Sequence, residues 1–421
     1  MSSSVIFTKC YTVYMRIYFS GISGTGIGPL AEVAYDAGNE VLGSDIVRGA
    51  ICGELEDKQI DINYGPQDGE FLRKKNEEKK IDWLVQTSAL PKEHAEIKYA
   101  KEQGIHISKR DEFLSKFIED HNLKMIGVAG THGKTTTVAM IVWAFKQMGI
   151  PVSYIAGTTL GWDVSGKYDP DSEYFIYEAD EYDRNFLAYH PYVAAITYID
   201  YDHKEIYPTP EDYRAAFDQF MSQSKYVVKD TTLDPRINLV GALRRQDASM
   251  ALEVMKKLFP DINEDKVIAA LNDFPGAGRR FERISDGVFS DYAHHPTEIM
   301  STIKMALELK EREKYEGLAI VYQPLQNIRQ YNIRDEYKYT FVGADKIYWI
   351  PTFLIRDYDG RHILTPEELF AGTATEAQTE AADMNPELEK NIKDLQKKHW
   401  LVLVLAGGDL DFWLRKIFKD N

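Results

Sequence analysis

"GVAGTHGKTTT", residues 127–137, decides how this chain is read. Apolar residues run up to a glycine, two polar residues follow, and a second glycine leads into a lysine and three threonines. That is a strand, a tight turn and a helix start, the arrangement in which converging backbone N–H groups hold phosphate oxygens. Gly130, Thr131 and Gly133 would form the turn, Lys134 would reach the β- and γ-phosphates, and Thr135 and Thr136 would place hydroxyls at the helix start, where Mg2+ is held. The strict P-loop spacing would need a glycine where Val128 stands, so the match is to a variant. An ordinary strand-to-helix turn has no need of Gly-Lys followed by three threonines, and phosphate binding is therefore the preferred reading.

Outward from this turn the chain alternates strand and helix. "RIYFSG" (16–21), "EVLGSD" (40–45) and "IDWLVQTSAL" (81–90) are strands of a first block, with a helix over "PLAEVAYDAG". "LKMIGVAG" (123–130), "EYFIYEAD" (173–180) and "YVAAITYID" (192–200) form a second, and "LAIVYQP" (318–324), "KIYWIP" (346–351) and "LVLVLAGG" (401–408) a third. This is βαβ logic and predicts an α/β protein of three domains, each a mostly parallel sheet. The boundaries fall near 120 and 284, giving 1–120, 121–283 and 284–421. Residues 1–14 read as an extension outside the fold, and the polar stretch 371–387 as a solvated loop or exposed helix. No internal repeat is visible.

Composition narrows the function. The 421 residues carry 50 Lys+Arg against 66 Asp+Glu, a formal charge of −16, which opposes a general affinity for nucleic acid or anionic membranes. Two cysteines, Cys10 and Cys52, make no disulfide framework and suggest a reducing, cytoplasmic setting. No apolar run approaches the roughly 18 to 20 residues that a membrane helix needs.

Chemistry gathers at the strand ends of the second block. "YEADEYD" (177–183) puts Glu178 after one strand, and "IDYDHKE" (199–205) puts Asp202 and His203 after the next. Each alone is unremarkable; together with the Gly-Lys turn they can meet at one sheet edge, where open α/β sheets hold ligands. In the first block, Gly21, Gly24, Gly26 and Gly28 with Asp45 imitate a dinucleotide fingerprint, but the spacing GxxGxGxG departs from GxGxxG and weakens an NAD reading. In "DYAHHPTE" neighbouring residues of a strand would face opposite ways, so His294 and His295 are poor co-ligands and loop structure is expected.

In order along the chain, "FSGISGTGIGPLAEVAYDAGNEVLGSD", "TSAL", "GVAGTHGKTTT", "EADEYD", "DH", "FPGAGRRFE", "SDYAHHPTEI" and "VYQP" resemble the Mur ligase family nearly end to end. The resemblance implies an N-terminal Rossmann-like domain for a UDP-sugar, a central ATPase and a C-terminal Rossmann-like domain that brings the amino acid. It implies an ATP- and Mg2+-dependent ligase of peptidoglycan precursor synthesis, joining L-alanine or a related amino acid to UDP-N-acetylmuramate through an acyl phosphate. A member that attaches a whole peptide, or one that binds nucleotide without ligating, is the alternative.

Carried over by resemblance, Lys134, His203 and Arg280 are catalytic; Thr135, Glu178 and His203 hold metal; Asn238 and Asp291 join the glycine turn in binding nucleotide; and Gly24, Thr25, Gly26, Ser44, Asp45 and Arg329 bind substrate. A monomer or homodimer is expected.

Three departures qualify the match. The family's Asn-x-x-Asn pair appears as Asn238 and Gly241; the stretch between His203 and Asn238 is shorter than the family pattern, with "SKYVVKD" left to supply an edge strand; and the acceptor-binding motif reads Gln323, Pro324, Leu325, Gln326, with Arg329 retained. An amide in place of a guanidinium gives up a bidentate carboxylate contact.

Overall fold

The computed structural model describes residues 14–87, 90, 91, 93–203, 206–354 and 360–419. The extension expected at the N-terminus lies outside the described residues up to 13, as do Ser88 and Ala89 of "TSAL". Three sheets carry the fold. The first comprises β1 (Arg16–Ser20), β2 (Glu40–Asp45), β3 (Asp61–Tyr64), β4 (Trp83–Gln86) and β5 (His106–Lys109) in the order β3-β2-β1-β4-β5. The second comprises β6 (Lys124–Ala129), β7 (Ser153–Ile155), β8 (Gly166–Lys167), β9 (Tyr174–Glu178), β10 (Val193–Ile196) and β11 (Tyr226–Val228) in the order β11-β10-β6-β9-β7-β8. The third comprises β12 (Glu282–Ser285), β13 (Val288–Asp291), β14 (Leu318–Gln323), β15 (Lys346–Trp349), β16 (Gln378–Ala381) and β17 (Leu401–Ala406) in the order β12-β13-β17-β14-β15-β16. The first sheet is parallel throughout; β7 with β8 and β12 with β13 are the antiparallel pairs.

These strands form because both sheet faces are covered. In β17, Leu401, Leu403 and Leu405 join one apolar cluster while Val402, Val404 and Ala406 join another on the opposite face. The period-2 alternation therefore buries every residue, and the sequence reads as the unbroken run "LVLVLA". Each such side chain contributes about 1.5 to 3 kcal/mol. "SKYVVKD" supplies the edge strand β11, paired with β10. The stretch 371–387 differs from its reading as loop or exposed helix: β16 lies inside it and pairs with β15. Its polar sequence, QTEA, fits an edge strand with a solvated side, which composition cannot distinguish from a loop.

The described residues fall into two compact units, one of those up to Lys134 with Phe145–Thr159 and Asp163–Val228, the other of Thr135–Ala144, Leu160–Trp162 and those from Lys229 onward. The first holds sheets one and two, the second holds sheet three. Inside the first unit, carboxyl groups from the two helices that follow β1 and β2 anchor the hairpin at β8. Glu54 accepts from the Ser165 N–H and hydroxyl, Asp36 from the Tyr168 N–H, and the fully buried Glu32 from the Gly166 N–H at 2.8 Å.

Burial, and next the Glu54 carboxylate, push the Glu32 carboxyl up to about 9. An unfolded glutamate ionises near 4.3, so between about pH 4.3 and 9 the unfolded chain releases a proton that the native protein keeps, and stability falls as pH rises. Glu32→Gln is expected to leave the melting temperature at pH 5 unchanged and raise it by about 2 to 4 °C at pH 8. Equal shifts at both pH values would show that Glu32 is ionised in the native protein.

Candidate active site

Two strand ends of sheet two and the turn between them build the site in the first unit. β6 runs into Gly130, whose φ of +143° is open to glycine alone; a Cβ there would stand 2.2 Å from Thr197 Oγ1 and 2.8 Å from the Tyr198 N and O. That close approach is used: the Thr131 N–H donates to Tyr198 O at 2.6 Å, and Thr131 Oγ1 donates to Asp200 O at 2.7 Å. Thr197 Oγ1 donates to His132 O at 2.5 Å. The turn is thus tied to the segment after β10, and Gly133, with φ +82°, turns the chain into the helix Lys134–Gln147.

The Lys134 ammonium donates to Gly130 O at 2.5 Å and to both oxygens of Glu181, at 2.8 and 3.1 Å. Glu181 is 1% exposed, and His203 Nε2 stands 3.6 Å from its Oε1. Its main-chain oxygen accepts the hydroxyl of the fully buried Tyr207 at 2.6 Å. His203 holds a left-handed backbone, φ +55°, an uncommon state for a non-glycine residue that recurs at functional sites. Glu178 ends β9, next to the acidic loop that carries Glu181. Lys134 and His203 therefore meet, as the sequence predicted, but through Glu181, which sequence reasoning passed over. The signal was there: "EADEYD" holds a second glutamate, and only the register of the loop says which carboxylate turns inward.

At the carboxyl edge of sheet one, the expected substrate residues occupy the turn after β1 and the end of β2. Gly24 and Thr25 are exposed and Gly26 half-buried. Asp45 accepts from the Ser23 N–H at 2.8 Å and the Ile46 N–H at 2.7 Å, so its carboxylate shapes the turn. Ser44 is fully buried and donates to Glu96 Oε1 at 2.6 Å, where Tyr18 also donates. Its main-chain oxygen supports the turn, accepting the Gly21 N–H at 2.9 Å and the Ile22 N–H at 3.1 Å.

In the second unit, Thr135 and Thr136 open their helix, and the arginine pair divides its work. Arg279 donates to Ala406 O and stacks on Tyr292, with 4.5 Å between the guanidinium and the ring centroid. Arg280 lies 5.6 Å from the same ring and, among the described residues, donates no side-chain hydrogen bond. Left-handed residues flank it, Arg279 at φ +56° and Phe281 at φ +50°, strain that loop propensity alone would not select. Asp291 accepts from the Phe281 N–H at 2.7 Å and the Ala293 N–H at 2.8 Å; burial raises its carboxyl above the usual range. Asn238 exposes its side chain, and its N–H donates to Asn272 Oδ1. Gly241 has φ +87°, and a Cβ there would lie 2.4 Å from Met305 Cγ and Sδ, so a side chain at that position would have to displace Met305.

The histidine pair is loop structure, as expected: His295 caps the helix Pro296–Glu313, and His294 Nδ1 lies 3.0 Å from Tyr292 O. Gln323 is spent on the scaffold, donating to Asp409 at 2.7 Å and accepting the Leu410 N–H at 3.0 Å. Arg329 is half-buried with no hydrogen bond or ion pair among the described residues.

Among the described residues no three His, Cys, Asp or Glu side chains converge as a metal cage. A sparse oxygen set suits Mg2+, which keeps several waters and binds through one or two carboxylates and substrate phosphates. Among them, no helix is long and apolar enough to cross a membrane.

Comparisons with known proteins agree with this geometry. Residues 16–122 match the family model described as "Mur ligase family, catalytic domain", and residues 128–233 match "Mur ligase middle domain". The chain is 30% identical to the UDP-N-acetylmuramate--L-alanine ligase of Lactobacillus acidophilus, with 94% of this chain and 96% of that relative covered. The alignment spans 450 positions, more than the 421 residues present, so the relative carries segments that this chain lacks.

Among solved structures, the UDP-N-acetylmuramate-alanine ligase of Thermotoga maritima superposes with a TM-score of 0.78 at 22% identity, covering 97% of this chain and 99% of that one. A murein peptide ligase of Psychrobacter arcticus gives 0.59 at 20% identity, with 96% and 98% covered. Turn, acidic loop, fold and sequence agree, and the chain belongs to the Mur ligase family.

Proposed function

We propose that the protein joins L-alanine to the carboxylate of UDP-N-acetylmuramate, consuming ATP, as the names of its relatives say of them. The observation that carries the reading is the Lys134–Glu181–His203 cluster beside the glycine turn, a cation and an imidazole at the edge where phosphate would lie. A free carboxylate does not accept an amine, because its oxygen is too poor a leaving group. In the proposed reaction a carboxylate oxygen of the sugar attacks the γ-phosphorus of ATP, and the bond to ADP breaks. The amine nitrogen then attacks the acyl carbon, phosphate leaves with the carboxylate oxygen, and the ammonium proton is lost.

The turn residues Gly130, Thr131 and Gly133 hold the phosphates, and Lys134 neutralises the transferring group. Arg280, Asn238 and Asp291 serve the nucleotide. Thr135, Glu178 and His203 are the residues that would hold Mg2+, which supplies charge neutralisation at the phosphate and acyl oxygens. Gly24, Thr25, Gly26, Ser44 and Asp45 bind or shape the sugar-nucleotide turn. The corresponding domains are 1–120, 121–283 and 284–421.

Arg329 has free donors for the acceptor's carboxylate. Arg329→Ala should raise KM for the amino acid about 10- to 100-fold, the worth of a charge-assisted contact, with KM for ATP unchanged. The reading itself is tested by phosphate release with UDP-N-acetylmuramate and a panel of amino acids and short peptides. Release that needs both the sugar and L-alanine supports it. Release with a peptide alone moves the protein to peptide attachment, and ATP turnover that ignores both removes the ligase.

A further inference from the structure

Arg110 is an arginine whose work the scaffold does not explain. It opens the helix Arg110–Asp120, directly after β5 at the carboxyl edge of sheet one. Its side chain is 25% exposed. Among the described residues it donates no hydrogen bond, and its one ion contact is Asp180, 4.0 Å away in the acidic loop after β9. Its guanidinium keeps N–H donors that reach solvent and are open to a ligand.

The position of the fork says which ligand. A Cβ built on Gly26 would lie 2.5 Å from an Arg110 terminal nitrogen and 3.6 Å from its Cζ, so the guanidinium lies against the exposed glycine turn after β1. The chain is strongly acidic, and Asp45 and Asp180 both stand near this edge, so an anion bound at the turn needs a local cation. Planar guanidinium against a turn with exposed backbone is the pairing that grips phosphate oxygens in two directions.

We propose that Arg110 binds the diphosphate of the sugar nucleotide, its guanidinium standing beside the glycine turn. The inference rests on the proposed UDP-sugar substrate and adds to it a residue that fixes where the diphosphate lies. Because Arg110 also faces Asp180, the residue before Glu181, its bond to the diphosphate sets the sugar's reach toward the Lys134 cluster.

The test is calorimetric titration of the full chain and its Arg110→Ala and Arg110→Lys variants with UDP-N-acetylmuramate, UDP, uridine and ATP. Arg110→Ala should weaken UDP-N-acetylmuramate and UDP alike, by about 10- to 100-fold, and leave ATP and uridine within about twofold. Arg110→Lys should recover part of the loss, since it keeps the charge without the fork. Equal losses for uridine and UDP would mean that Arg110 only shapes the turn and would overturn the proposal, as would UDP binding that ignores both variants. Wild-type protein that binds no uridine diphosphate compound would remove the substrate reading together with this one. Arg110→Lys keeps the question open to measurement where Arg110→Ala does not fold.

Discussion

Replacing Lys134 by methionine is expected to lower ATP-dependent turnover by about 10²- to 10³-fold or more, the scale on which one preorganised charge at a transferring phosphoryl group acts. The same change should destabilise the protein without nucleotide. Lys134 is the cation paired with the 1% exposed Glu181, through both carboxylate oxygens, and removing one partner of such a pair leaves a buried charge at a cost of about 3 to 5 kcal/mol. The two losses separate in the double variant. Adding Glu181→Gln to Lys134→Met should restore most of the melting temperature, because the buried carboxylate is gone, and none of the turnover. Recovery of both together would mean that Lys134 acts on stability alone. UDP-N-acetylmuramate should bind the single and double variants as it binds the wild type.

Gly130→Ala is expected to cost about 3 kcal/mol or more in stability and to abolish protection of the protein by ATP against thermal unfolding. Two causes add. The alanine would be held at φ +143°, and its methyl would collide with Thr197 Oγ1 and the backbone of Tyr198, which is fixed by the Thr131 N–H. Gly104→Ala is the control: φ is +66°, yet nothing lies within 4 Å, so only the backbone strain of about 1 to 2 kcal/mol applies. Thermal melts of the two variants with and without ATP measure the difference. Equal destabilisation would show that the close approach to Tyr198 has no energetic weight.

The sequence carried the long, apolar parts of the fold and lost the short, polar ones. β1, β2, β4, β6, β9, β10, β14, β15 and β17 were legible because each is an apolar run bounded by glycine, proline, polar or acidic residues. β3 (DINY) and β16 (QTEA) are edge strands whose side chains remain half in water, so their composition is that of a loop. β8 is two residues long and exists because carboxylates from elsewhere hold it.

The site follows the same division. Gly130, Gly133 and Lys134 were readable, since each residue type answers a local backbone or charge requirement. Glu181 and Arg110 were not, because their roles depend on partners brought from 47 and 70 residues away. The strain that flanks Arg280 is likewise invisible to a reading by propensity: Arg279 and Phe281 are not residues that favour positive φ. A serine at a strand's carboxyl end reads as a ligand contact; the structure adds that the Ser44 hydroxyl donates to Glu96, from the helix Ala95–Glu102, a partner 52 residues away.

The central claim is that ATP activates the carboxylate of the sugar. It is tested most directly by supplying UDP-N-acetylmuramate whose carboxylate carries oxygen-18, together with ATP and L-alanine, and weighing the released phosphate by mass spectrometry. Passage through an acyl phosphate leaves one carboxylate oxygen on phosphorus, so each phosphate should carry one heavy oxygen. Phosphate released without label would mean that water, and not the carboxylate, attacks ATP, and would contradict the account.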